Sequence, residues 1–142
     1  MDIAVSACLL GYNCKYNGLN NKNEKVIALA NHYNLCPICP EVYGELGTPR
    51  APSEIVLDKV INKYGKNVTS NFNLGAKLAY EICEIRGIKY AVLKEKSPSC
   101  GCGLIYDGSF TGKLVNGDGI TAKLFKEKGI KVYTENEEWK FE

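Results

Sequence analysis

The 142-residue sequence predicts an α/β fold, with helices packed on a mostly parallel sheet. Three observations carry that expectation. Short β-type runs alternate with helical patterns, the order of β-α-β units. The composition, 45% hydrophobic and 24% charged, is that of an ordinary globular protein. The length is that of one domain, so residues 1–142 read as a single unit able to bury roughly two-thirds of its unfolded surface without disulfide staples.

Ile3–Ala7 is a short β-type run ending at Cys8, and a loop rich in Gly and Asn comes next, "GYNCKYNGLNNKNE". The spacing of Val26, Ile27, Leu29 and Ala30 predicts an amphipathic helix around Asn23–His32. Asn34–Ile38 is a second strand, closed by Pro37 and Pro40. The next segment, "PEVYGELGTPRAPSE", holds three of the five prolines and reads as a long extended loop, a kind of segment that is usually functional. "IVLDKVINKYGKNVT" reads as a hairpin turning near Tyr64–Lys66. Thr69 or Ser70 then caps a helix that runs to about Arg86 and stops at Gly87. Lys89–Leu93 is a third core strand, "LIYDGSFTGKLVNGDG" has hairpin character, a helix spans about Ile120 to Lys128, and "IKVYT" is a last strand.

A formal charge of +2 with no basic cluster argues against nucleic acid or a membrane surface as partner. No apolar run approaches the ~20 residues of a bilayer span. The start, "MDIAVSACLLG", has Asp2 where a secretion signal carries basic residues, so a cytoplasmic location with reduced thiols is expected. No Walker loop or G-x-G-x-x-G supports a nucleotide cofactor. His32, the one histidine, ends a helix and offers little to a Cys–His nucleophile.

Seven cysteines are then the anomaly, because clustered thiols in a reducing compartment are more often metal ligands or catalytic groups than bridges. Ligands of parallel sheets bind beyond the carboxyl ends of the strands. Cys8, Cys39 and Cys100 each fall just past a predicted strand end, so three distant segments would deliver one sulfur each to the same sheet edge. Cys83 sits on an apolar helical stripe and reads as core; Cys14, in a polar loop, reads as an exposed spare. Three uses of the others stay open. "CPIC" fits a redox dithiol, although Pro40 and the extended reading of Glu41–Gly44 speak against the helix start such a motif needs. Cys36, Cys39, Cys100 and Cys102 together fit a four-thiolate zinc site. An iron–sulfur cluster on three thiolates would leave one metal open, with Gly101 and Gly103 letting backbone N–H groups approach the sulfurs. Glu41, two residues past Cys39, and Ser97, three before Cys100, either cap turns or reach the rim of such a site.

The segments "VSACLLGYNCKYNG", "CPEVYGELGTPRAPSE" and "LKEKSPSCGCGLIYDGSFTGKL", continued by "GDGITAKLFKEKGIKVYTENE", resemble the thiouracil desulfurase family in collinear order over essentially the whole chain. The resemblance implies a Rossmann-like three-layer domain with a [4Fe-4S] cluster held by Cys8, Cys39 and Cys100, and with Glu41 and Ser97 as catalytic residues. It implies a small-molecule partner, a thiolated pyrimidine such as 2-thiouracil, desulfurised to uracil and hydrogen sulfide without net redox change. Glu41 would act as general base toward water and Ser97 as hydrogen-bond donor. Cys14, Cys36, Cys83 and Cys102 lie outside the implied ligand pattern. The rival is a zinc-binding or thiol-storing module without catalysis. Nothing in the sequence sets an oligomeric state.

Overall fold

A computed structural model describes residues 1–142. In chain order, β1 (Asp2–Ser6) runs into a 3-10 turn at Ala7–Leu10; α1 (Glu24–Ile27) continues as a second 3-10 turn at Ala28–Asn31; β2 (Asn34–Ile38) and the single-turn α2 (Pro40–Tyr43) come after it. Next are the strands β3 (Ser53–Val56) and β4 (Lys59–Asn62), the long helix α3 (Thr69–Arg86) and β5 (Tyr90–Leu93). The strands β6 (Leu104–Tyr106) and β7 (Leu114–Asn116), the helix α4 (Ile120–Glu127) and β8 (Lys131–Thr134) complete the chain.

Four strands form a parallel sheet in the order β2-β1-β5-β8. Side chains of a strand alternate between its faces, and this sheet is buried on both. On one side Ala4, Ala91, Leu93 and Val132 meet Ala79 and Cys83 of α3 and Ala122 and Phe125 of α4. On the other, Ile3, Val5 and Val92 pack against Leu9, Val26 and the aromatic tail residues Trp139 and Phe141. The expected layers are therefore present, but the second covering layer is thin, built from one helical turn, 3-10 turns and the C-terminal segment. Pro37 lies inside β2, which a sheet tolerates at an edge strand, where a missing N–H costs no ladder bond.

Three local readings need correction. The β3–β4 hairpin turns at Leu57–Asp58, not near Tyr64–Lys66; Leu57 takes φ +60° there, and Tyr64–Gly65 form a second turn beyond β4. The hydroxyl of Thr69 does not cap α3 but donates to Asn67 and accepts the N–H of Val60, which ties the hairpin to the helix start. The residues after Pro40 are not extended. Proline at the first helical position has the right φ and lacks an N–H that a helix start leaves unpaired, so Pro40 opens α2 and Cys39 becomes its N-cap.

Candidate active site

Because β2, β1 and β5 are adjacent and parallel, their carboxyl ends share one edge of the sheet. Cys8 lies in the turn after β1, Cys39 directly after β2, and Cys100 beyond the loop after β5. All three line one cavity of about 530 Å³, together with Glu41 and Ser97. Cys14 lines it too, so the sequence reading of Cys14 as an exposed spare is corrected. The loop that carries Cys14 is folded back by Arg50, whose Nη2 donates to the Cys14 carbonyl at 2.8 Å and whose backbone N–H donates to Tyr16 O at 2.7 Å.

The remaining cysteines point elsewhere. Cys36 is buried inside β2, in the core beside Cys83. Cys102 makes a long contact with Val132 O at 3.8 Å, outside the cavity. The C-x-x-C is thus not a facing dithiol, and the four thiols of the zinc reading do not converge. No group of three His, Cys, Asp or Glu side chains stands close enough to hold a single metal ion. Cys8, Cys39 and Cys100 instead line one cavity and sense one another's charge, an arrangement with room for a polynuclear group.

The thiols differ in acidity. Burial pushes Cys8 up, opposed by the Asn21 amide, whose Nδ2 donates to Sγ at 3.4 Å. Burial also pushes Cys100 up strongly, with the Ser6 hydroxyl opposing it. Cys39 is lowered to about 7: the Cys14 thiol donates to it, the Val42 N–H supports its thiolate and the Arg50 charge adds, all against burial. The Cys14 proton is correspondingly held more tightly. A thiophilic metal would displace these protons on binding, so thiol burial is no obstacle to ligation.

Glu41, in the first turn of α2, is nearly enclosed, its side chain 18% exposed against 7% for its partner Arg50. Arg50 Nε donates to Glu41 Oε1 at 3.3 Å, and Nη1 is held by Gly47 O at 3.0 Å and Thr48 Oγ1 at 3.2 Å. Burial raises the Glu41 carboxyl above the usual carboxylate range, and Arg50 offsets part of that. Sequence reasoning missed Arg50; its "TPR" context gives no sign of a partner nine residues upstream.

Ser97 resolves the choice between turn cap and site residue by being placed for both. Its Oγ accepts the N–H of Ser99 at 3.1 Å and of Cys100 at 3.0 Å, while it lines the cavity. With both lone pairs engaged, its own O–H is left as a donor. The loop is then locked from behind. Pro98 and Ser99 carbonyls accept the N–H groups of Ile120 at 2.9 Å and Thr121 at 2.8 Å, the unpaired donors at the start of α4. The Ser99 and Thr121 hydroxyls bond at 2.8 Å. Gly101 and Gly103 do not aim N–H groups at sulfur, contrary to expectation: they donate to Ser97 O at 2.8 Å and Asp118 Oδ1 at 2.9 Å.

Comparison with known proteins accords with this geometry. A family model described as 2-thiouracil desulfurase matches residues 3–137. The uncharacterized protein YbbK of Bacillus subtilis (strain 168) is 38% identical over 145 residues, spanning 95% of this chain and 96% of its own. The solved structure of the [4Fe-4S]-dependent thiouracil desulfidase TudS superimposes with a TM-score of 0.90 at 42% identity, over 95% of this chain and 91% of its own.

Proposed function

The chain belongs to the 2-thiouracil desulfurase family, and from that premise we propose that it hydrolyses the thiocarbonyl of 2-thiouracil, with Cys8, Cys39 and Cys100 holding a [4Fe-4S] cluster. The observation that carries the reading is the meeting of these three thiols with Glu41 and Ser97 in one cavity at the ends of three adjacent strands. The reaction balances without an oxidant or reductant: thione plus water gives uracil plus hydrogen sulfide, a C–S double bond replaced by C–O.

When bound, the cluster supplies a soft Lewis acid with one iron free of protein ligands, suited to substrate sulfur. The protein's own groups perform the hydrolysis around it. Glu41, a carboxylate of raised basicity, takes a proton from water that attacks the thiocarbonyl carbon. Arg50 holds one Glu41 oxygen and leaves the other for that water. Ser97 donates its O–H to the ring or to the charge that develops on it, its oxygen fixed by two backbone N–H groups. Glu41 returns the proton as the C–S bond breaks.

The test is anaerobic reconstitution with iron and sulfide, then sulfide and uracil assays after addition of 2-thiouracil. Wild-type protein should turn brown and release both products in equal amounts. Glu41→Gln should keep the colour and lose turnover by at least about 100-fold. A brown wild-type protein that releases no sulfide would overturn the function, and a fully active Glu41→Gln would remove the carboxylate from the chemistry.

A further inference from the structure

The β6–β7 hairpin ends in a turn that is expensive to hold. Phe110, at its tip, takes φ +57°, a left-handed conformation unfavourable for an aromatic residue by about 1 kcal/mol or more. Two features far away in sequence hold it there. The Glu54 carboxylate, 9% exposed, accepts the N–H of Gly108 at 3.0 Å and of Phe110 at 3.1 Å. Gly108, at φ +95°, lies so close to β3 that a Cβ would come within 2.6 Å of Val56 Cγ2 and 2.9 Å of Ile55 O. A buried carboxylate and a close backbone approach thus fix a strained turn, and the chain leaves Phe110 38% exposed.

Phe110 lines the same cavity as the reactive groups, and so do Tyr16 and Tyr106. Nothing in the packing of the core needs Phe110: it belongs to none of the three buried clusters. A planar aromatic face held at the mouth of a site for a planar pyrimidine has an evident use, since bases stack on aromatic side chains with useful affinity and little demand on sequence or substituent.

We propose that Phe110 is the residue on which the substrate ring stacks, with Tyr16 and Tyr106 completing an aromatic rim, so that the enzyme selects flat heteroaromatic thiones. The inference rests on the function proposed above. It assigns binding, not bond breaking, to Phe110, and makes Glu54 the residue that positions it.

Two variants of reconstituted enzyme test this. Phe110→Leu keeps an apolar side chain but removes the π face; Phe110→Trp keeps a π face and adds a reporter. Phe110→Leu should raise both KM for 2-thiouracil and Ki for uracil about tenfold, with kcat within about twofold and cluster absorbance unchanged. Phe110→Trp should keep KM near wild type, and its indole fluorescence should change on addition of uracil. The single native tryptophan, Trp139, does not line the cavity and should stay silent in the wild-type control. Unchanged KM and Ki in Phe110→Leu, or an indole that does not respond to saturating uracil, would overturn the stacking role. If wild-type enzyme released no sulfide, the proposed function would fall instead, and the indole response to uracil would still decide whether a base stacks there.

Discussion

Replacing Gly75 by alanine should damage the active site from the far side of α2. Gly75 on α3 and Gly44 after α2 bring two backbones into direct contact, and Asn71 Nδ2 donates to Gly44 O at 2.8 Å across the same junction. A Cβ on Gly75 would lie 2.7 Å from the Pro40 carbonyl carbon, with the oxygen nearer still, and 3.3 Å from Gly44 N. Ordinary contact begins at 3.4 Å, so clearing the carbonyl oxygen requires the helices to part by roughly 1.5 Å. Overpacking of that kind costs about 1–3 kcal/mol, and alanine returns up to about 1 kcal/mol of helix propensity. A net loss of about 1–2 kcal/mol should lower the melting temperature by roughly 3–8 °C. The larger effect is functional. Pro40 and Glu41 form the first turn of α2 directly after Cys39, so the shift passes straight to the proposed cluster ligand and the proposed general base. Misplacement by ~1 Å should cut kcat on the order of 100-fold. Thermal unfolding by circular dichroism, absorbance after reconstitution and steady-state kinetics read the three effects. Asn73→Ala, exposed on the same helix, is the control and should be near neutral. A Gly75→Ala protein as stable and as active as wild type would refute the claim that this junction sets the position of Glu41.

Arg50→Lys keeps the charge beside Glu41 but not the fork that also reaches Cys14 O, Gly47 O and Thr48 Oγ1; kcat should fall roughly tenfold with KM and cluster absorbance unmoved, and Arg50→Gln should fall further. Steady-state kinetics on the two variants checks the order. Behind Lys94 and Glu95, which line the cavity, the Glu135 carboxylate, with its side chain 6% exposed, receives Lys94 Nζ at 2.7 Å and the Glu95 N–H at 2.8 Å. Glu135→Gln removes the ion pair and should cost about 2 kcal/mol, discounted because Lys94 is 26% exposed; a lower urea midpoint at unchanged slope would report it.

Much of this molecule could be read from its residues. Strand and helix periodicities are local, so the parallel sheet, the long α3 with its Gly87 stop and the placement of Cys8, Cys39 and Cys100 past strand ends were all legible. So were the motifs of the family, which sit in contiguous stretches around those thiols. What escaped the sequence lies in contacts between segments. Cys14 enters the cavity only because Arg50 pulls its loop inward. The turn of helix after Cys39 forms against α3, where Gly44 and Gly75 let the backbones touch. The rigidity of Cys100 comes from α4, whose first N–H groups find no partner in their own helix and take the carbonyls of the "SPSCG" loop. Periodicity and spacing record what each stretch prefers alone; which loop carbonyl satisfies which helix end is decided only when the chain closes on itself, because an unpaired buried polar group costs too much to leave.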